Sequence, residues 1–146
     1  MSVDAQELRM LPDAAPAAAP LRQRPGWQCE CALLLPDATA RRVLLLPAPG
    51  GGWRLPRFLS PEHHLGAAPP LRHAARVLLG ADATVRRCVV QTTDPAARLL
   101  RRAYLLESHR PDWRPPLGAR WAAAEEIDGL ALPSPDDAAA LRAWAA

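Results

Sequence analysis

The chain has 146 residues, 49% of them hydrophobic, which suits one domain with a core of ordinary size and makes a second domain unexpected. Its formal net charge of +3 is only mildly basic and its arginines are spread along the sequence, so a nucleic-acid partner is not expected. All 18 basic residues are arginine, and Ala, Pro and Leu are abundant, a usage typical of a GC-rich bacterial genome.

The first 26 residues are unlike the rest of the chain. They carry Asp4, Glu7 and Asp13 and no continuous apolar run, so neither a secretory signal nor a membrane span is predicted. The segment DAAPAAAP within them is low in complexity. We therefore expect residues 1–26 to form a flexible tail, residues 27–146 to form the domain, and the protein to be cytoplasmic without a membrane partner.

Two short apolar runs open the domain. Residues 27–35 (WQCECALLL) and 42–47 (RVLLLP) have the composition of buried strands, and PDATAR between them is a turn signal, so the pair is predicted to form a hairpin. APGGG then indicates a flexible loop, and WRLP a short extended segment that ends at Pro56.

A helix is clearly delimited further along the chain. Pro69 and Pro70 suit its first turn, and Gly80 ends it. One face carries apolar residues at helical spacing and is predicted to lie on the sheet: Leu71, Ala74, Ala75, Leu78 and Leu79. The opposite face carries Arg72, His73, Arg76 and Val77.

The second half of the sequence repeats this alternation of strands and helices. Residues 84–93 and 98–108 predict a second hairpin around the turn DPAA, and a proline-rich loop follows at 109–118. ARWAAAEEIDGL predicts a short strand and a helical turn, and Ser134 is placed to cap a final helix. The predicted fold class is α+β, with a mixed β-sheet sandwiched between α-helices.

The residues around the first helix resemble a known family, the Nudix hydrolases. In that family a hairpin leads to W-x-L-P-G-G, then to a helix with R-E-x-x-E-E-x-G, then to a strand. Here Trp53-Arg54-Leu55-Pro56 precedes a helix that ends in Leu78-Leu79-Gly80. ARWAAAEEIDGL is similar to the family's closing pattern, a Trp-bearing strand before an acidic helix start. The resemblance covers residues 27–146 and implies a Nudix-like sheet between helices.

The acids of the family motif are missing. In active members the helical glutamates bind divalent cations that bridge a pyrophosphate and help to activate water. Aligned on Arg72, the motif places His73, Arg76 and Val77 at those positions. Aligned on Gly80, it places Ala74, Val77 and Leu78 there. Neither register supplies a carboxylate, so the loss does not depend on the alignment chosen.

The segment before the helix departs from the motif as well. The two glycines that normally follow the proline are replaced by Arg57 and Phe58. Glu62 is the only acid between Trp53 and Ala81, and one carboxylate is a poor holder for magnesium. We therefore expect no metal cofactor and no metal-dependent hydrolysis.

Other metal sites are not indicated by the sequence. His63 and His64 beside Glu62 offer three ligands, whereas structural zinc sites normally want four at defined spacing. The chain has three cysteines, Cys29, Cys31 and Cys88, and an odd number makes a poor disulfide framework. We expect them to be free thiols in a reducing compartment that pack as small hydrophobic residues.

The helix face has instead become basic. Arg72 and Arg76 are four residues apart with His73 close by, and together with Arg57 they are candidates for binding an anion directly. The ordinary alternative is a solvated helix face. Trp53 and Trp121 are candidates for the walls of a cleft, or else for the core.

The function predicted from these features is a degenerate, non-hydrolytic Nudix-like domain with a ligand-binding, regulatory or structural role. A phosphorylated small molecule is the expected ligand, and a protein partner or an adjoining kinase-like domain is compatible with the resemblance. One alternative is a divergent Nudix hydrolase that builds its metal site from other acids: Glu62, Glu107, Glu125 or Glu126. Another is a protein-interaction module, which an exposed apolar patch would indicate.

Overall fold

A computed structural model of the chain describes residues 26–60 and 68–146. The predicted tail, apart from Gly26, lies outside the described residues, as do Glu62, His63 and His64. The elements in chain order are β1 (Gln28–Leu34), β2 (Arg42–Pro47), β3 (Trp53–Arg54), β4 (Arg57–Ser60), α1 (Ala68–Leu79), β5 (Ala83–Asp94), β6 (Leu99–Ser108), β7 (Arg120–Ala123), a 3₁₀ helix (Ala124–Gly129) and α2 (Pro135–Ala145).

The described strands form one mixed sheet and one antiparallel sheet. Four strands lie in the order β4-β1-β6-β5, in which β1 runs parallel to β6 and antiparallel to β4. Three further strands lie in the order β3-β2-β7, all antiparallel. Helices accompany both sheets, so the predicted α+β class is confirmed.

The first predicted hairpin is wrong in its pairing. β1 and β2 meet only at their shared turn, through the bridge between Pro36 and Val43 and the bond from the Leu44 amide to the Leu35 carbonyl, 3.0 Å long. Beyond the turn they belong to different sheets. The backbone groups of a buried strand need partners on both edges, and β1 finds them in β4 and β6. β4 itself was not predicted.

The second predicted hairpin is confirmed. β5 and β6 pair antiparallel from Ala83 opposite Ser108 to Asp94 opposite Leu99, with two register irregularities along β5. Both strands are close in sequence and joined by a short turn, which makes this pairing local and therefore readable from the sequence.

α1 begins and ends where the prolines and Gly80 predict. Its predicted apolar face is buried at Leu71, Ala74, Ala75 and Leu79, while Leu78 is half-buried. Val77, expected on the outer face, packs partly against the core. Gly80 has a φ of 62°, a left-handed conformation in which glycine commonly ends a helix.

Two clusters of buried side chains lie on opposite sides of the four-stranded sheet. Residues of α1 share one cluster with Cys31, Leu33 and Tyr104, and α2 contributes to the other with Leu34 and Ala103. Alternation along β1 and β6 sends successive residues to opposite sides. The predicted helix on each face is therefore present.

α2 is capped as the sequence predicts, and Ser134 accepts a bond of 3.3 Å from the Asp137 amide. Neither α2 nor any other helix in residues 26–60 and 68–146 is long and apolar enough to span a bilayer.

The cysteines divide into two environments. Cys29 and Cys31 are buried with their sulfurs 3.5 Å apart, as packing residues should be. Cys88 is exposed, contrary to the expectation, because it lies on β5 at the sheet edge beside a register irregularity. The hydrogen bond between the buried pair lowers the pKa of Cys29 and, together with burial, raises the pKa of Cys31.

Candidate functional site

The outer side of α1 carries the basic residues that the sequence singled out. Arg72 and Arg76 are exposed and His73 is half-buried; we call these three residues the arginine face. Nη2 of Arg76 lies 3.5 Å from Oδ1 of Asp82, in a pair whose side chains are 60% and 44% exposed. The helix itself contains no carboxylate. The arginine face is thus a solvent-accessible cationic surface without acidic side chains of its own.

Arg57, the fourth predicted anion-binding residue, lies on the other side of the sheet. Its neighbour Phe58 belongs to the cluster under α1, so the alternation of β4 sends Arg57 towards α2. There Nη1 donates to Glu30 at 2.8 Å and Nη2 donates to Asp137. Arg57 therefore links β4 to β1 and α2, with two carboxylates to balance its charge.

Asp137 anchors this second group. Its side chain is only 1% exposed, and besides Arg57 it accepts a bond of 3.1 Å from the Leu55 amide. Burial raises the pKa of Asp137, while the charge of Arg57 and the Leu55 amide oppose that rise. We call Glu30, Arg57 and Asp137 the buried ion cluster.

The two predicted cleft-wall tryptophans stand apart. Trp53 packs against the cluster of apolar residues near α2, with the guanidinium of Arg120 5.6 Å from its ring centroid. Trp121 packs against the cluster near α1, with the guanidinium of Arg42 at 5.9 Å. Only Trp121 lines the open cleft described next.

This cleft has a volume of about 700 Å³, and its position was not predicted from the sequence. The β1–β2 turn, the end of β6 and the loop that follows β6 enclose it. Trp113 of that loop meets Trp121 edge to face, with ring centroids 6.2 Å apart and planes at 84°. The sequence signal for this cleft was Trp113 within the proline-rich loop, because a large indole in a loop usually packs against another part of the fold.

Two of the four acids proposed for a displaced metal site, Glu107 and Glu126, are engaged in ion pairs, while Glu62 lies outside the described residues. Glu107 pairs with Arg86 at 2.8 Å, and Glu126 pairs with Arg120 at 3.1 Å. The hydrogen bond from the Ala123 amide lowers the pKa of Glu126, and the pair with Arg120 lowers it further. Within the described part of the chain, no group of three or more His, Cys, Asp or Glu residues is placed to hold a metal ion.

Comparison with solved structures identifies the fold. The chain aligns over 80% of its length with 69% of a Nudix hydrolase from Nitrosomonas europaea, at 15% identity and a TM-score of 0.62. It aligns over 78% of its length with 88% of an ADP-ribose pyrophosphatase from Streptococcus suis 89-1591, at 12% identity and a TM-score of 0.54.

A third similar structure comes from Sinorhizobium meliloti 1021 and is assigned provisionally to the oxidoreductases. The chain aligns with it over 81% of its own length at 14% identity and a TM-score of 0.63, and spans 38% of that protein. No family model matches the sequence, and no curated protein matches it. The class defined by these comparisons is structural: the chain has a Nudix-like α+β fold.

Proposed function

We propose that this Nudix-like domain binds a phosphorylated small molecule on its arginine face and does not hydrolyse it by metal-dependent chemistry. The observation that carries the proposal is the exposed pair Arg72 and Arg76, one helical turn apart, on a helix without a carboxylate. His73 lies between them and is half-buried.

The charge of this surface favours an anion over a metal ion. Magnesium is normally held by carboxylates, whereas the guanidinium fork complements phosphate oxygens with paired N–H donors. Because Arg72 and Arg76 are exposed, their attraction for an anion is screened by salt. Binding should therefore weaken as ionic strength rises.

The proposal is tested by thermal-shift screening of nucleoside diphosphates, sugar phosphates and ADP-ribose, with and without EDTA. A ligand that binds the folded state raises the unfolding temperature by mass action. We expect stabilisation by at least one sugar phosphate, unaffected by EDTA and lost in Arg72→Ala/Arg76→Ala; sugar phosphates carry no aromatic ring, so they test the cationic surface by itself. Stabilisation that persists in this double variant would remove the arginine face as the site.

The matched control is Arg87→Ala/Arg142→Ala. Both residues are exposed and lie on other elements, so this variant makes the same change in net charge while leaving α1 intact. It should retain the ligand-induced shift. Equal loss in both double variants would mean that the ligand responds to overall charge and not to a site.

The divergent hydrolase is the competing function, since two of the similar folds are hydrolytic enzymes. Its metal site would require at least two of Glu62, Glu107, Glu125 and Glu126 to converge on one cleft beside α1, and Glu62 lies outside the described residues. Glu107 and Glu126 are engaged in separate ion pairs, which argues against a site built from these two acids.

A further inference from the structure

The cleft beside Trp121 has features of a binding site that the arginine face does not use. It opens where the parallel strands β1 and β6 end and encloses about 700 Å³. Ligand pockets for small molecules fall in this range and combine apolar walls with a few polar groups. Its lining shares no residue with the arginine face.

Both indoles of the cleft are held in place before any ligand arrives. The indole N–H of Trp113 donates to the Leu79 carbonyl at 2.9 Å. Trp121 is fixed on β7 opposite Leu44. Each residue is half-buried, so part of its surface is covered and part is available. Aromatic walls that are already ordered lose little freedom on binding a flat ligand.

The polar groups of the cleft leave an excess of positive charge. Arg42, Arg86 and Arg110 line it with the two acids Asp37 and Glu107. Nε of Arg110 lies 3.8 Å from Oδ1 of Asp112, which is outside the lining. Arg42 pairs with Asp37 through Nε and Arg86 pairs with Glu107 through Nη1, both at 2.8 Å. Each guanidinium has further N–H donors, so these pairs do not exhaust it.

Asp37 is also engaged by its own turn. Thr39 donates to its carboxylate at 2.9 Å, and the Arg41 amide does so at 3.2 Å. Burial acts to raise the pKa of Asp37, but the bonds from Arg42, Thr39 and the backbone outweigh it and lower the pKa. This acid therefore serves the turn and offers little to a ligand cation.

An aromatic pair can form a cage for a cationic ligand, but here the protein supplies its own cation. The guanidinium of Arg42 already stands 5.9 Å from the ring centroid of Trp121. A second cation at this ring would meet like charge.

We propose that this cleft binds a small aromatic anion: a planar ring that carries a phosphate or a carboxylate. The ring packs against Trp113 and Trp121, and the anionic group is bound by Arg42 and Arg86. This inference is independent of the proposed function, because it depends on other residues and on other elements.

The test follows the indole N–H signals of the full chain in ¹H–¹⁵N spectra. The chain has five tryptophans, and Trp113→Phe and Trp121→Phe assign the two signals of the cleft. The probes are AMP and 2-naphthoate, which separate a phosphate source from a carboxylate source, and uncharged adenosine. We expect at least one of the two anionic probes to shift both cleft signals in a saturable way. If AMP binds, adenosine should bind about tenfold more weakly than AMP.

Variants locate the anionic group. Arg42→Gln and Arg86→Gln should each weaken the effective probe about tenfold, as expected for loss of a charge-assisted bond. Arg142→Gln, an exposed arginine of α2, is the matched control and should leave its affinity unchanged. Arg72→Ala/Arg76→Ala should also leave the cleft signals unaffected, which separates this site from the arginine face.

Several results would overturn the proposal. One is the absence of any saturable shift of the Trp113 and Trp121 signals with either anionic probe at millimolar concentration. Another is binding that is the same in Arg42→Gln, Arg86→Gln and the control variant. A response to tetramethylammonium without a response to the anions would assign the cleft to cations instead.

Discussion

The arginine face and the buried ion cluster place the same side chain in opposite situations. Arg72 and Arg76 stand exposed on a helix with no acid of its own. Arg57 is bonded to Glu30 and to the almost fully buried Asp137. The arginine face leaves its cationic groups facing solvent, whereas the guanidinium of Arg57 is neutralised by two carboxylates and links β4 to β1 and α2.

The role of each arginine therefore depends on the carboxylates that the fold brings to it. A buried charge is tolerated only when it is paired and hydrogen-bonded, so removing one partner is costly. An exposed charge keeps its hydration and contributes little to stability. Stability measurements should therefore separate the two regions sharply.

The largest effect is expected for Asp137→Ala. The change leaves the Arg57 guanidinium without its more buried partner and the Leu55 amide without its acceptor. We expect the free energy of unfolding to fall by about 3 to 5 kcal/mol. Urea unfolding measures it. Asp136→Ala, which breaks a more exposed pair with Arg101 at 3.2 Å, is the neighbouring control and should cost about 1 kcal/mol or less.

The next effect compares the same substitution in both regions. Arg57→Met leaves Asp137 buried beside an apolar chain and should lower the free energy of unfolding by about 2 to 3 kcal/mol. Arg72→Met, on the exposed face of α1, should change it by no more than about 0.5 kcal/mol. Similar losses of unfolding free energy in Arg57→Met and Arg72→Met would contradict a structural role that belongs to Arg57 alone.

Titration extends the comparison to two acids. The pKa of Asp137 should lie above the usual value of 3.8 and that of Asp37 below it, which NMR of the carboxyl carbons measures. A carboxyl group whose pKa is lowered by folding stabilises the folded state at pH values above its unfolded pKa. That stabilisation is lost as the pH falls through its folded pKa. The stability difference between wild type and Asp37→Asn should thus shrink as the solution is acidified below pH 3.8.

The smallest effect concerns Arg76→Ala. Its pair with Asp82 is 3.5 Å long and exposed on both sides. Removal should cost no more than about 0.5 kcal/mol in low salt, and nothing measurable in high salt, where exposed pairs are screened. A loss of several kcal/mol would mean that Arg76 has a structural role.

The parts of the fold that the sequence predicted correctly are those set by local signals. α1 follows from Pro69, Pro70 and Gly80, and the β5–β6 hairpin follows from two adjacent strands around DPAA. The predicted pairing of β1 with β2 was wrong because a buried strand needs hydrogen-bond partners on both edges. β1 finds these in β4 and β6, which are not adjacent to it in sequence.

The same limit applied to the candidate sites. Arg72, His73 and Arg76 could be placed on one face because helical spacing is a local property. Arg57 was grouped with them because its partner Asp137 lies 80 positions further along the chain. Trp121 was a predicted cleft-wall residue, but its partner Trp113 was not, since the two indoles meet only when the loop after β6 folds against β7.

Binding without hydrolysis on the arginine face is tested by ³¹P NMR of ADP-ribose incubated with the full chain, with magnesium or with EDTA. Relative to protein-free ADP-ribose in the same buffer, the protein should shift the phosphorus signals both with magnesium and with EDTA, Arg72→Ala/Arg76→Ala should weaken that shift, and ADP-ribose should stay uncleaved. Magnesium-dependent release of monophosphates, slowed by Glu→Gln at Glu62, Glu107, Glu125 or Glu126, would contradict binding without hydrolysis.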